Sequence, residues 1–128
     1  MKDQFKDQFV TQEIAARLKD KGFDERCMAS YNHNQNNLLV TSAFLVHRNS
    51  THPNGNVMAP TYQHAMGWLH RNGYNIHDYW IANAEAFGCD VYTIKGDLLF
   101  PHETNYSKLF EKIEDAWNVA INEALNKM

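Results

Sequence analysis

Seven histidines and two cysteines among 128 residues invite metal or nucleophilic chemistry, and their spacing tests both. His64 and His70 fall on one expected helix, where a six-residue separation at about 100° per residue puts them roughly 120° apart around the axis, too far round to chelate together. No HExxH, no histidine pair at i and i+4, and no His/Cys cluster with zinc spacing occurs. His47 and His52 share a polar loop and could approach one another, but a solvated loop explains them without a metal. Cys27 and Cys89 are distant in sequence and neither belongs to a CxxC pair, so they read as buried free thiols. No metal site is expected.

Nucleophilic catalysis would need Cys27, Cys89, Ser42 or Ser50, and none of them stands in a nucleophile-elbow context such as GxSxG. The carboxylates available for acid/base work, Asp78, Glu85, Asp90 and Asp97, read as solvent-facing strand and turn residues. P-loop and GxGxxG patterns are missing, so no nucleotide-cofactor signature is present. The residues therefore name no catalytic group and no cofactor.

A binding site is easier to compose. A helix beginning near Pro60 exposes amide N–H groups around Thr61, Gln63 and His64, where an anion is intrinsically welcome. The loop directly before it carries His47, Arg48 and His52, and histidines protonate near about pH 6.5. Tyr79 and Trp80 add flat surface on which a base could stack. These eight residues form the candidate site for a polar anionic ligand such as a nucleotide. The alternative reading makes Trp68 and Trp80 core or subunit-contact residues and leaves the loop without a ligand.

The elements that must carry these residues follow from periodicity and turn chemistry. Thr11 caps a helix over residues 11–21, with Val10, Ile14 and Leu18 on one face and Gly22 as its stop. Cys27–Tyr31 and Leu38–Val46 read as an antiparallel strand pair joined by NHNQNN. Because both faces of the second strand are apolar, it is expected to be covered on two sides. Residues 47–56 are the most turn-rich run and are expected to be an exposed, mobile loop. A second helix occupies 60–72. Strands follow at Ile76–Ile81 and Cys89–Ile94, connected through NAEAFG, and Leu98–Pro101 makes a short edge strand ended by proline. The last helix, starting between Tyr106 and Lys112, carries an apolar stripe through Phe110, Ile113, Trp117, Ile121 and Leu125. The expectation is a single α+β domain over residues 1–128 in the order α-β-β-α-β-β-α, an antiparallel sheet packed with helices, with residues 1–9 as a flexible N-terminal segment.

Composition narrows the class. Hydrophobic residues make up 44% and aromatics 12%, an ordinary globular balance that excludes disordered and collagen-like chains. A net charge of −3 argues against an electrostatic nucleic-acid binder, which needs concentrated positive charge. From Cys27 to Trp80 the only formally charged residues are Arg48, Arg71 and Asp78, yet this stretch holds six of the seven histidines. The N-terminal MKDQFKDQFV lacks the apolar run of a secretory signal, and no apolar stretch of about 18 residues could span a membrane. A cytoplasmic protein is expected.

Three segments carry a resemblance: FVTQEIAARLKDKGFDERCMASY (Phe9 to Tyr31), APTYQHAMGWLHRNGYNI (Ala59 to Ile76) and EDAWNVAINEALNKM near the end. Together they resemble small phage and prophage proteins of the Bacteroidetes type. The chain departs from that pattern at His70-Arg71-Asn72-Gly73, where such proteins have an acidic, lysine-rich helix end, and in a longer, asparagine-rich first loop. The resemblance implies a phage-associated setting in the host cytoplasm and assigns no catalytic residue. The expectation is a non-catalytic accessory binding protein, homo-oligomeric, that counters host defence by sequestering a nucleotide signal or by binding a host protein. Its alternatives are a homo-oligomeric interaction or assembly protein, and a small hydrolase or transferase using Cys27, Cys89 or a histidine with a carboxylate.

Overall fold

The structure, a computed structural model, describes residues 7–32, 37–40, 47–51, 56–101 and 109–128. Its order is α-β-β-β-α-β-β-β-α, the expected α+β class with one further short strand at Val57–Met58 besides the edge strand expected from Leu98. The chain divides into two compact units, Met1–Ala65 and Met66–Met128.

In the first unit, helix α1 (Gln12–Asp20) is capped by Thr11, whose Oγ1 accepts the Ile14 amide at 3.3 Å. Ile14, Ala15 and Leu18 form its buried face, and full burial of a side chain the size of leucine contributes about 1.5–3 kcal/mol. The helix closes on Gly22 at φ 99°. There the Gly22 amide donates to Lys19 O and the Phe23 amide to Leu18 O, the paired bonds of a Schellman stop with its apolar contact between buried neighbours. Strand β1 (Ala29–Tyr31) is central and fully buried, with β2 (Leu38–Val40) and β3 (Val57–Met58) antiparallel on either side.

The expectation that the strand from Leu38 would be covered on both faces is not met where it is described. Leu39 is 48% and Val40 45% exposed, and among the described strands β2 holds an outer place in the order β2-β1-β3. Residues 41–46 of that expected strand lie outside the described residues. Tyr31, by contrast, is buried, and its hydroxyl donates to Val10 O at 2.7 Å, which joins the sheet to the entry of α1.

Helix α2 (Tyr62–Arg71) runs across the division between the units and stops at Asn72 and Gly73, the latter at φ 101°. The second unit is an antiparallel meander, β4 (Tyr74–Ile81), β5 (Ala86–Thr93) and β6 (Leu98–Phe100), with helix α3 (Ile113–Lys127) against β4 and β5. The β4–β5 pair is longer than expected. Ala86, Phe87 and Gly88, read from sequence as connection, pair with Ile81, Trp80 and Tyr79, and the turn shrinks to residues 82–85 with Glu85 at φ 49°. Ala116, Ala120, Ile121, Ala124 and Leu125 of α3 are buried, and the Trp117 indole N–H donates to Asp78 Oδ2 at 2.7 Å. No described helix is long and apolar enough to cross a membrane.

Candidate functional site

The most complete site lies in the first unit and is built by three short segments. The Schellman stop turns the chain at Phe23 and sends residues 24–27 across to the loop at 47–51. That loop is fastened to them. The Cys27 amide donates to His47 O at 2.7 Å, and the Ser50 amide donates to Asp24 Oδ1 at 2.7 Å. Asn49 acts as a clip, its Nδ2 donating to Phe23 O at 2.8 Å and its Oδ1 accepting the Met58 amide at 2.9 Å. The loop expected to be mobile is thus pinned over residues 47–51, since asparagine at its centre satisfies one backbone group on each side. Hydrogen bonds from Ser50, with the Arg48 charge adding to them, hold the Asp24 carboxyl below its ordinary value.

The third segment is the entry to α2. Thr61 caps it, Oγ1 accepting the His64 amide at 3.2 Å, and residues 8–10 run alongside, with the Tyr62 amide donating to Gln8 O and the Val10 amide to Pro60 O. Between these segments lies an open cavity of about 280 Å³ lined by Phe9, Cys27, Met28, Ala59, Pro60, Thr61 and His64. His64 is fixed on two sides: its Nε2 meets Glu25 Oε1 at 2.7 Å, and its ring stands edge-on to Phe23 with centroids 5.4 Å apart. The ionised carboxylate is an acceptor only, so it is Nε2–H that donates to Glu25. Burial, with the Glu25 charge adding to it, pushes the Cys27 thiol up to about 12. A thiol so placed stays protonated at neutral pH and is a poor nucleophile.

Of the eight residues singled out from sequence, Thr61 and His64 line this cavity. Gln63, between them, is exposed. His47 and Arg48 sit in the pinned loop beside the cavity wall, and His52 lies outside the described residues. Two of the amides expected to greet an anion are already taken, that of Tyr62 by Gln8 and that of His64 by Thr61. Tyr79 and Trp80 belong to the second unit, where Trp80 is 53% exposed and packs edge-on against Phe87 at 4.8 Å. Sequence reasoning missed Glu25 as the partner of His64. Thirty-nine positions separate the two, and no local spacing signals such a pair.

The second unit gathers the other chemistry-bearing residues on its β4–β5 pair. His77 faces Asp90 at 3.8 Å as a cross-strand pair on an exposed face. Asp78 is committed to Trp117. Cys89 is buried, and that burial together with Asp90, Asp78 and Glu123 pushes its thiol up to about 11. Among the described residues no group of three or more His, Cys, Asp or Glu side chains could hold a metal ion. Comparison of the chain with protein-family models, with curated proteins and with solved structures gave no match.

Proposed function

We propose that the chain is a non-catalytic accessory binding protein whose first unit holds a small nucleotide-like ligand in the cavity between residues 23–28 and the entry of α2. The single observation that carries this reading is the cavity itself, about 280 Å³ and mostly apolar, with His64 in its lining held by Glu25. Ligand sites have this composition, apolar walls and a few well-held polar groups. The raised thiol of Cys27 in the same wall favours binding over cysteine hydrolysis, although Cys27, His64 and Glu25 share the neighbourhood that a hydrolase would use. The phage-type resemblance of the sequence supports an accessory role in the host cytoplasm, sequestering a nucleotide signal to counter a host defence.

A thermal-shift panel of linear and cyclic nucleotides, followed by isothermal titration of any that stabilise, tests this directly. A rise in Tm that is lost in His64→Ala is expected. No shift with any nucleotide would remove the reading.

A second reading is supported by a different observation. Trp80, Ile94, Leu98 and Leu109 of the second unit are all exposed apolar residues, and surface tryptophan is characteristic of protein interfaces. Homo-oligomerisation, or the binding of a host protein, through this unit would make the chain an assembly protein. Sizing across a concentration range, repeated with Trp80→Ser, separates this from a monomeric ligand binder.

A further inference from the structure

Of the two outer strands described in the second unit's sheet, one is guarded against further pairing and the other is not. β6 is three residues long, meets β5 with a register shift at Val91/Tyr92 and runs into Pro101. Shortness, irregular pairing and proline are the features by which an edge strand turns away a new neighbour. β4 is eight residues long, pairs with β5 in unbroken register from Tyr74 to Ile81, and contains no lysine, arginine or proline.

The direction of β4's unused backbone groups follows from its neighbours. Phe87 exchanges both of its backbone bonds with Phe110, and the Thr93 amide donates to Asp97 O, so both residues turn away from β4. Opposite residues of an antiparallel pair either bond each other or both face outward. Trp80 and Tyr74, opposite Phe87 and Thr93, therefore face outward, and alternation adds Ile76 and Asp78. Among the described residues no backbone bond reaches the outward groups of these four, and Trp80 is exposed at the strand's end.

The strand is complementary to itself. In a two-fold antiparallel pair of β4 strands outward residues must face outward residues, so the axis passes through a residue. An axis through His77 brings the whole of Tyr74–Trp80 into the pairing. Tyr74 then faces Trp80 of the second copy, an aromatic pair at each end, and Ile76 faces Asp78. Each of these pairs exchanges two bonds. An axis through Asp78 sets two carboxylates face to face, and one through Ile76 leaves Trp80 beyond the end of the opposite strand. We propose that the chain forms a two-fold dimer by antiparallel β4–β4 pairing centred on His77, which joins the second-unit sheets of two copies into one. This rests on the assembly reading of the second unit and names its partner, edge and register.

Sizing across a concentration range gives a dimer, and amide hydrogen exchange of the unaltered, isotope-labelled dimer reports its edge. An uncovered edge exchanges in alternation, the outward amides of Ile76, Asp78 and Trp80 faster than the inward amides of Asn75, His77 and Tyr79. Pairing slows the outward set by about tenfold or more, the worth of one hydrogen bond, and removes the alternation. Two exposed positions then read the register. His77→Cys forms a disulfide-linked dimer on oxidation, because facing residues of a pair that is not hydrogen-bonded have Cα atoms about 4.5 Å apart, within disulfide reach. Asn75→Cys does not, since its counterpart lies four residues along the strand, about 13 Å away. A dimer whose outward amides still exchange fast overturns the edge pairing and leaves the assembly reading intact. A protected edge without the His77→Cys cross-link overturns the register. A monomer at every concentration, as when the edge serves a strand of another protein, overturns the dimer and the homo-oligomer reading together.

Discussion

Tyr79 lies across Gly88 on the β4–β5 pair so closely that a Cβ on Gly88 would stand 2.5 Å from the tyrosine ring. Glycine here is a packing requirement, since its backbone is not in the left-handed region and the pressure comes from the side chain opposite. Gly88→Ala should lower unfolding stability by about 1–3 kcal/mol, the cost of overpacking, read as a lower urea midpoint. The double variant Tyr79→Ala/Gly88→Ala removes the clash, so it should be less destabilised than the sum of the single changes. Additive losses would show that the contact is not what constrains Gly88.

Asp78 of β4 and Trp117 of α3 share a side-chain hydrogen bond of 2.7 Å between the helix and the sheet of the second unit. Asp78→Ala leaves the part-buried indole N–H without its acceptor and should cost about 1–3 kcal/mol. Asp78→Asn keeps an oxygen in place and should recover much of that loss. Chemical denaturation followed by tryptophan fluorescence reports both, and equal losses in the two variants would show that charge, not the hydrogen bond, is what matters at Asp78.

Local chemistry made several of these elements legible in advance. Thr11, Gly22, Gly73 and Pro101 each act within a few residues, by capping, by taking positive φ or by ending a strand, and the elements they bound stand close to where they are expected. The β4–β5 hairpin was read too short because Gly88 signals a turn by type, whereas its role is set by Tyr79 nine residues earlier. Apolar residues on both faces imply cover for Leu39 and Val40, but what packs on a strand's faces is settled by tertiary neighbours that leave no local trace. The candidate site was half legible for the same reason. Thr61 and His64 announce themselves at a helix start. Glu25 and Met28 are brought to His64 and the cavity by the chain beyond the Schellman turn, and Phe9 by the pairing of residues 8–10 with the entry of α2.

That clip makes its own prediction. Asn49 satisfies the Phe23 carbonyl and the Met58 amide with one side chain, so Asn49→Ala leaves two backbone groups without their partner. A loss of about 1–3 kcal/mol is expected. Asn49→Asp keeps the acceptor for Met58 and loses the donor to Phe23, so it should fall between wild type and Asn49→Ala in thermal unfolding. An Asn49→Ala protein as stable as wild type would mean that the loop at 47–51 is not held by this residue.

The two buried thiols give stability an alkaline limit. Burial, with the Glu25 charge adding to it for Cys27 and the Asp90, Asp78 and Glu123 charges for Cys89, raises the thiols from 9.0 to about 12 and about 11 respectively. The unfolded chain therefore sheds these protons near 9.0 while the folded chain still holds them. Raised folded values mean that the contribution is complete below about pH 9 and declines as pH climbs through the folded values, by at most about 1.4 kcal/mol per pH unit for each thiol. Tyr31, raised above 10.0 by burial, acts in the same direction at higher pH. Unfolding free energies from urea titrations at about pH 7, 9 and 10 should fall along that series, and Cys27→Ala/Cys89→Ala should fall less steeply than wild type between about pH 9 and pH 10. Identical slopes for the two proteins would mean that the thiols ionise alike in the folded and unfolded chains.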